Sequence, residues 1–420
     1  MASTDSYVGY SFYASARSLS AQFYEDLINR GWRRSGTLLY KPNQRVSCCP
    51  HYTIRLDSQA YKASKDQRQA VNRFNRYILG DEYIKERTKK APLSKAEAAK
   101  RKQEFDLVER IHECERGTVP TPPDPTHNFV VTLEPDEFTD EKFRLFENYQ
   151  RIVHREPPSR ITTKGFKSFL CSSPLRRHVV MINGRQRRLG TYHQCYYLDG
   201  TLVAVGVLDL LPHSVSAVYF MYHESIHSWS PGKLSAMREA ALAAEEGYRW
   251  YMMGFYIHTC RKMTYKVDFR PQYALDPETY EWNLFDDDLK RRLDARGYVS
   301  LSAELRDGIE APEDNSETRF KDVGPPGSGE DDDDSGDPNF DWDASLFSRN
   351  MPGIPTREEM ESLPLDDIVL WIRRRFVRAE DLMNWETGSI DDPSTIKGTI
   401  AELVAAVGPA CANEVVVTFT

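Results

Sequence analysis

The chain has no run of about 18 apolar residues, so nothing in it reads as a membrane-spanning helix. It has no GxGxxG phosphate loop and no Walker sequence, which argues against a nucleoside triphosphate enzyme. HExxH and paired CxxC spacings are missing too, so a tetrahedral zinc site has no local support. The opening MASTDSYVGY lacks the basic start and apolar centre expected of a secretory signal. Cysteine is sparse. The seven thiols, at 48, 49, 114, 171, 195, 260 and 411, are odd in number and follow no disulfide rhythm, which implies a reducing compartment, cytoplasm or nucleus.

What is present is unevenly spread. The net charge of −8 conceals a segment, residues 301–343, with fifteen acidic and three basic side chains. Without it the remainder carries about +4, a mildly basic body compatible with a nucleic-acid ligand and equally with an ordinary mixed surface. Five blocks follow from composition. Residues 1–79 are compact and aromatic and read as a smaller N-terminal α/β domain. Residues 80–126, including KERTKKAPLSKAEAAKRKQ and closing on TVPTPPDPT, read as an exposed, charged helical insertion. Residues 127–300 form the main domain. Residues 301–355, rich in Gly, Pro and acid, read as a disordered linker. Residues 356–420 are a tail whose EEMESLPLDDIVLWIRRRF has helix-like periodicity and is expected to dock back on the core.

The main domain can be read element by element. HQCYYL and TLVAVGVLDLL flank Asp199-Gly200, a pair that supplies the positive-φ turn of a hairpin. SVSAVYFMYH continues as a further strand. WSPGKLSAMREAALAAEEG reads as a helix, with Ser230 at the N-cap, Pro231 in first place, and Leu234, Met237, Ala241 and Ala244 on one face. Gly247 ends it, and YRWYMMGFYIH follows as a buried strand. Three antiparallel strands feeding a strand–helix–strand parallel crossover predict a mixed α/β sheet of the acetyltransferase-like kind. The helix start offers free backbone N–H groups beside Lys233, a place for an anion.

Several short stretches suggest a site. GWRRSGTLLYKP places Arg33 and Arg34 on a strand, and CCPHYTIRL brings His51, Tyr52 and Arg55 close behind Cys48 and Cys49. YMMGFYIHTCRKMTYK carries Lys262, Tyr265 and Lys266 just beyond the buried strand. Taken in order with FKSFLC (166–171), QCYYLDGTLVAVGVLDLLP, SAVYFMY and SPGKLSAMRE, these stretches resemble the eukaryotic arginyl-tRNA–protein transferases, the arginyltransferases of the N-degron pathway. The resemblance covers most of residues 9–80 and 127–283.

That resemblance implies an acetyltransferase-like (GNAT-like) fold. It implies an aminoacyltransferase that moves arginine from Arg-tRNA to proteins beginning with Asp, Glu or oxidised Cys and so marks them for ubiquitin-dependent degradation. The ester is already activated, so no catalytic triad is expected, and the catalytic residues are left unassigned. An acidic N-terminus calls for a cationic pocket, for which Arg33, Arg34, His51, Tyr52 and Arg55 are the candidates. Lys233, Lys262, Tyr265 and Lys266 are the candidates for tRNA. Members of the family carry a second cysteine pair upstream that completes an iron–sulfur or zinc site. Here YVGYSFYASARS has none, which leaves Cys48 and Cys49 as a half-site and no metal or other cofactor expected. Two other readings compete: a transferase using another aminoacyl-tRNA or acyl-CoA, and a catalytically weak acidic N-degron binding protein.

Overall fold

The computed structural model describes residues 10–92, 94–309 and 344–418. The chain opens with β1 (Ser11–Ser15), α1 (Ala21–Ile28), β2 (Arg33–Ser35) and β3 (Leu38–Pro42), the three strands forming a small antiparallel sheet in the order β1-β3-β2. Next come β4 (Tyr52–Asp57) and four helices: α2 (Lys65–Leu79), α3 (Asp81–Lys90), α4 (Lys95–Gln103) and α5 (Leu107–His112). After β5 (Phe129–Pro135) come α6 (Asp140–Tyr149), α7 (Thr163–Leu170), β6 (His178–Ile182), β7 (Arg185–Leu198), β8 (Thr201–Leu210) and β9 (Ser214–Tyr222). Helix α8 (Pro231–Glu246) leads to β10 (Trp250–Tyr256), β11 (Gln272–Leu275), β12 (Trp282–Leu284), α9 (Asp287–Ala295) and α10 (Leu301–Arg306).

The main sheet is mixed and runs β12-β11-β4-β10-β9-β8-β7-β5, with β6 added beside β7. Its centre is the expected one. Asp199 and Gly200 both have positive φ, the requirement of the tight β7–β8 turn. β8 pairs antiparallel with β9, and α8 returns the chain so that β10 lies parallel to β9. Strand β4 comes from the first block of sequence, yet it sits between β10 and β11. The main sheet is therefore completed by a strand from outside residues 127–300.

Both faces of the sheet are covered. On one, Met237, Ala240 and Ala241 of α8 pack with Ile54, Leu208, Val215 and Tyr251. On the other, Leu145, Phe146 and Phe166 of α6 and α7 pack with Val205, Val207 and Met221. Burial on this scale, at about 25 cal/mol per Å² of apolar surface, is what holds helix to sheet. Within residues 80–126, the described side chains of α4 are exposed, but α5 is anchored. Its Ile111 joins the α8 cluster, and Arg238 of α8 pairs with Glu115 just beyond it.

Three expectations need correction. Ser230 does not cap α8 with its side chain. It sits in the left-handed region (φ 58°), and only its carbonyl serves, accepting from the N–H groups of Lys233 and Leu234. The stretch EEMESLPLDDIVLWIRRRF is α-helical only at its start, in α11 (Arg357–Glu361). IVLWIRRRF instead forms a hairpin, β13 (Val369–Ile372) and β14 (Arg375–Arg378), with Arg373 and Arg374 turning at positive φ. Its β-branched and aromatic side chains, Ile368, Val369, Trp371, Ile372 and Phe376, suit a strand better than a helix. The segment 301–355 is structured at both described ends: α10 is held by Glu304 to Arg292 and Arg296, and Leu346 and Met351 are buried. Residues 310–343, the acidic centre, lie outside the described residues.

The docking expected of the tail holds. α12 (Ile396–Val407) and β15 (Val416–Val417), which pairs parallel with β13, complete a core that contains Trp32, Leu27 and Ile28 of the first block. The Trp32 indole N–H donates to the carbonyl of Ala406 at 2.9 Å.

Candidate active site

β9 and β10 are bonded only where they begin. Ser214, Val215 and Ser216 pair with Trp250, Tyr251 and Met252, and beyond these positions the two strands part. The cause lies in β10, whose register against β4 slips between Met252 and Phe255, with Gly254 at φ +78°, a conformation that disfavours any side chain. The splay releases carbonyls of β10 from the ladder. Lys266 satisfies two of them: its Nζ donates to Met253 O at 2.9 Å and to Phe255 O at 2.8 Å. Burial, with Arg33 nearby, pulls the Lys266 ammonium down to about 8. Lys266 is thus an internal brace and not the phosphate contact expected of it.

On one side of the splay stands Arg33. Its Nη1 donates to Ser216 Oγ at 3.2 Å, while its Nε and Nη2, although buried, have no hydrogen-bond partner among the described residues. Its guanidinium lies 5.5 Å over the half-buried Phe255 ring. His51 meets the same ring edge-on at 5.3 Å, and its buried Nδ1 makes no well-formed hydrogen bond among the described residues. Burial pushes the His51 imidazole down to about 4, so it is neutral at pH 7. An unsatisfied buried donor costs about 1–3 kcal/mol, so a guanidinium that carries two is suited to an acceptor group, above all an anion.

The neighbours of Arg33 do otherwise. Arg34 points to the opposite side of β2 and is fully used: Nε and Nη2 grip both oxygens of Asp209 at 2.8 and 2.6 Å, and Nη2 also donates to Thr191 Oγ1. Tyr52 donates its hydroxyl to Val299 O and accepts from Val299 N, a tie between strand and loop. Arg55 is stacked between the indoles of Trp250 and Trp282, at 3.7 and 4.0 Å. Of the five expected residues, Arg33 and His51 thus hold unsatisfied nitrogens beside the Phe255 ring, Arg34 and Tyr52 are structural, and Arg55, whose buried Nε also lacks a hydrogen bond, is held by aromatic faces.

On the other side of the splay lies a group that the sequence reading missed. Glu239, almost fully buried in α8, accepts from Ser235 Oγ at 2.5 Å and from Tyr251 OH at 2.6 Å. Gly206 makes room for it, since a Cβ there would stand 3.2 Å from Glu239 Oε1. Burial raises its carboxyl to about 7, and Ser235, Tyr251 and Lys266 counteract only in part. The signal was a charged residue within the buried stretch REAALAA, and nothing in its spacing marked it as more than a surface turn. Tyr265 completes this side, its hydroxyl 3.6 Å from where a Cβ of Gly232 would be, in the first turn of α8.

Of the remaining candidates, Lys233 pairs with the exposed Asp66. Lys262 is exposed and makes no ion pair among the described residues. Cys48 and Cys49 hold their sulfurs 3.3 Å apart, and burial with the neighbouring thiol lifts Cys48 to about 11. No group of three or more His, Cys, Asp or Glu suited to a metal occurs among the described residues. Two open cavities occur among the described residues, one of about 840 Å³ lined by α2, α3 and α5 residues such as Arg76 and Arg110, the other of about 650 Å³ at the end of β10 and the loop after it, around Tyr256, His258 and Asp294. The convergence of unsatisfied donors, not cavity size, singles out the splay. No helix among the described residues is long and apolar enough to cross a membrane.

Comparison with known proteins gives this site a setting. Residues 4–69 match the family model for the N terminus of arginine-tRNA-protein transferase, and residues 141–276 match the model for its C terminus. Arginyl-tRNA–protein transferase 1 of Saccharomyces cerevisiae is 32% identical over 262 residues, covering 59% of this chain and 47% of that protein. The Drosophila melanogaster protein of the same name is 28% identical, covering 68% of this chain and 80% of its own length. The aspartate/glutamate leucyltransferase of Stutzerimonas stutzeri is 26% identical over 261 residues, covering 61% and 81%. Among solved structures, L-PGS from Bacillus licheniformis overlaps at a TM-score of 0.26 and 12% identity, covering 49% of this chain and 45% of that one, too slight a likeness to argue from.

Proposed function

Since the chain belongs to the arginine-tRNA-protein transferase family, carrying segments matched by both its N- and C-terminal models, we propose that it transfers arginine from Arg-tRNA to the N-terminal amine of proteins beginning with Asp, Glu or oxidised Cys. The observation that carries this reading is Arg33, a buried guanidinium with two unpartnered nitrogens beside the splay of β9 and β10. A carboxylate, or the sulfur acid of an oxidised cysteine, would accept from both. The relatives named aspartate/glutamate leucyltransferase support the acidic acceptor. The product, an N-terminal arginine, would mark the protein for ubiquitin-dependent degradation, in cytoplasm or nucleus.

The chemistry needs little from the protein. The acceptor amine, with a pKa of about 7.7–8.0, is partly neutral at pH 7. It attacks the ester carbonyl of the aminoacyl-tRNA. A C–N bond forms, the C–O bond to ribose breaks, the amine gives up a proton and the ribose oxygen takes one. Holding amine and ester in contact supplies much of the acceleration. The protein's part is to seat the acidic side chain on Arg33 with neutral His51 and Phe255 as walls, and to seat the ester where the strands diverge. No step is assigned to a metal, and Cys48 and Cys49 are read as two reduced thiols.

The test is transfer of labelled arginine to matched peptides beginning with Asp or Ala. Label on the Asp peptide alone is expected, and equal labelling would refute acidic recognition. Replacing the donor by leucyl-tRNA addresses the second reading, which the leucyltransferase relatives favour.

A further inference from the structure

β9 does not end at the splay. It continues to Tyr222, and from Ala217 onward its residues are only partly buried except for Met221. At this far end the rings gather. Tyr149, at the end of α6, meets Tyr222 at 5.1 Å between centroids, at 64°. Tyr222 lies nearly parallel to His227 at 5.8 Å and 28°, and its hydroxyl stands 2.9 Å from His227 Nδ1. Tyr149 also meets His154 at 5.1 Å. His154 ends a single wide helical turn, Gln150–His154, which Arg155 closes in the left-handed region (φ 61°). Such wide turns recur at functional sites.

Charge and position link this group to the splay. The ammonium of Lys262 is close enough to push His154 down, after burial. Tyr265, facing the first turn of α8, is close enough to raise Tyr149. The exposed His227, Tyr222, Tyr149 and His154 thus form a row of rings at the far end of β9, with the Lys262 charge near His154. These rings are held edge to face and by a hydroxyl, so their orientation is fixed before any ligand arrives, yet Tyr149, Tyr222 and His227 keep surface in contact with solvent. A ring cluster needed only for packing would be buried, as Phe166 is. Half-exposed, pre-oriented aromatics beside a free lysine are how proteins hold unpaired nucleotides.

We propose that Tyr149, Tyr222 and His227, with Lys262 beside them, form a stacking platform for the unpaired 3′-terminal nucleotides of tRNA, delivering the ester to the splay. This rests on the reading of the chain as a tRNA-dependent transferase. The rings take the base faces, Lys262 takes a phosphate, and specificity for the RNA body lies elsewhere.

The experiment compares equilibrium binding of the full chain to two uncharged RNAs: an arginine tRNA with its 3′ end intact, and the same tRNA lacking its three unpaired terminal nucleotides. The wild type should prefer the intact RNA by about fivefold or more per stacked base. Tyr222→Leu and Tyr149→Leu should lose most of that preference while binding the trimmed RNA as the wild type does. His227 is exposed, so His227→Ala keeps the fold and should lose part of it, with thermal melting as the check. A wild-type preference that persists in all three variants overturns the platform alone. A wild type that binds neither RNA overturns the platform and the tRNA reading together, whereas one that binds both equally overturns only the platform.

Discussion

Arg33 and Arg34 are adjacent in sequence, and strand alternation sends them to opposite sides of β2 with opposite fates. Replacing Arg33 by Ala should lower kcat/KM for an Asp-initiated peptide by about 10- to 100-fold, the worth of charge-assisted hydrogen bonds, with the melting temperature near that of the wild type. Initial rates and thermal melting check this, and a loss of rate that follows a loss of stability would mean that Arg33 only supports the fold. Arg34→Ala instead strands Asp209, fully buried with its partner gone, and should cost about 3–5 kcal/mol in urea unfolding. Glu239 gives a residue-scale pH effect. Its folded pKa of about 7 lies above the ordinary carboxyl value of 4.5, so between these limits the folded state binds the extra proton. Stability from this group is complete below about pH 4.5 and is lost as pH rises through 7. Melting temperatures of Glu239→Gln and wild type across pH 4–8 should therefore diverge in the variant's favour as pH rises, and parallel curves would contradict the assignment.

At the scale of elements, the parting of β9 and β10 is the feature on which the site depends, and two lysines from one short loop play different parts in it. Lys266→Met removes the partner of two buried carbonyls and should cost about 1–3 kcal/mol for each left unsatisfied. The salt dependence of RNA binding should stay as it was. Lys262→Glu should do the reverse: thermal stability unchanged, affinity for tRNA lower, and the slope of log affinity against log salt shallower by about one phosphate contact. Binding titrations at several salt concentrations separate the two. A Lys262 variant with the wild-type slope and affinity would put that lysine outside the RNA interface.

At the scale of the molecule, the chain folds back on itself. β4 from the first block completes the main sheet, and the last 75 described residues close over Trp32, Leu27 and Ile28. A chain ending at Ile309 would uncover this core. It should melt at lower temperature and shift tryptophan emission to the red, because Trp32 loses both its apolar cover and the carbonyl of Ala406. An unchanged melting curve would show that the tail is an independent unit.

The sequence by itself determined the local elements and the family. Asp199-Gly200 specifies its turn because both positions need positive φ, and the apolar run of Tyr251–Tyr256 specifies a strand buried on both faces. It also placed Arg33, His51 and Lys262 among the candidates, since cationic recognition limits the residue types available. Which of five pocket candidates remain unsatisfied was decided only in three dimensions. Arg34 is indistinguishable from Arg33 until Asp209, 175 residues away, occupies it. Lys266 read as a tRNA contact and Glu239 went unmarked until α8 and the splay buried them, and Ile368–Phe376 read as helix until β15 offered an edge to pair with. Spacing along the chain records local geometry, and the satisfaction of a buried polar group depends on partners that spacing does not encode.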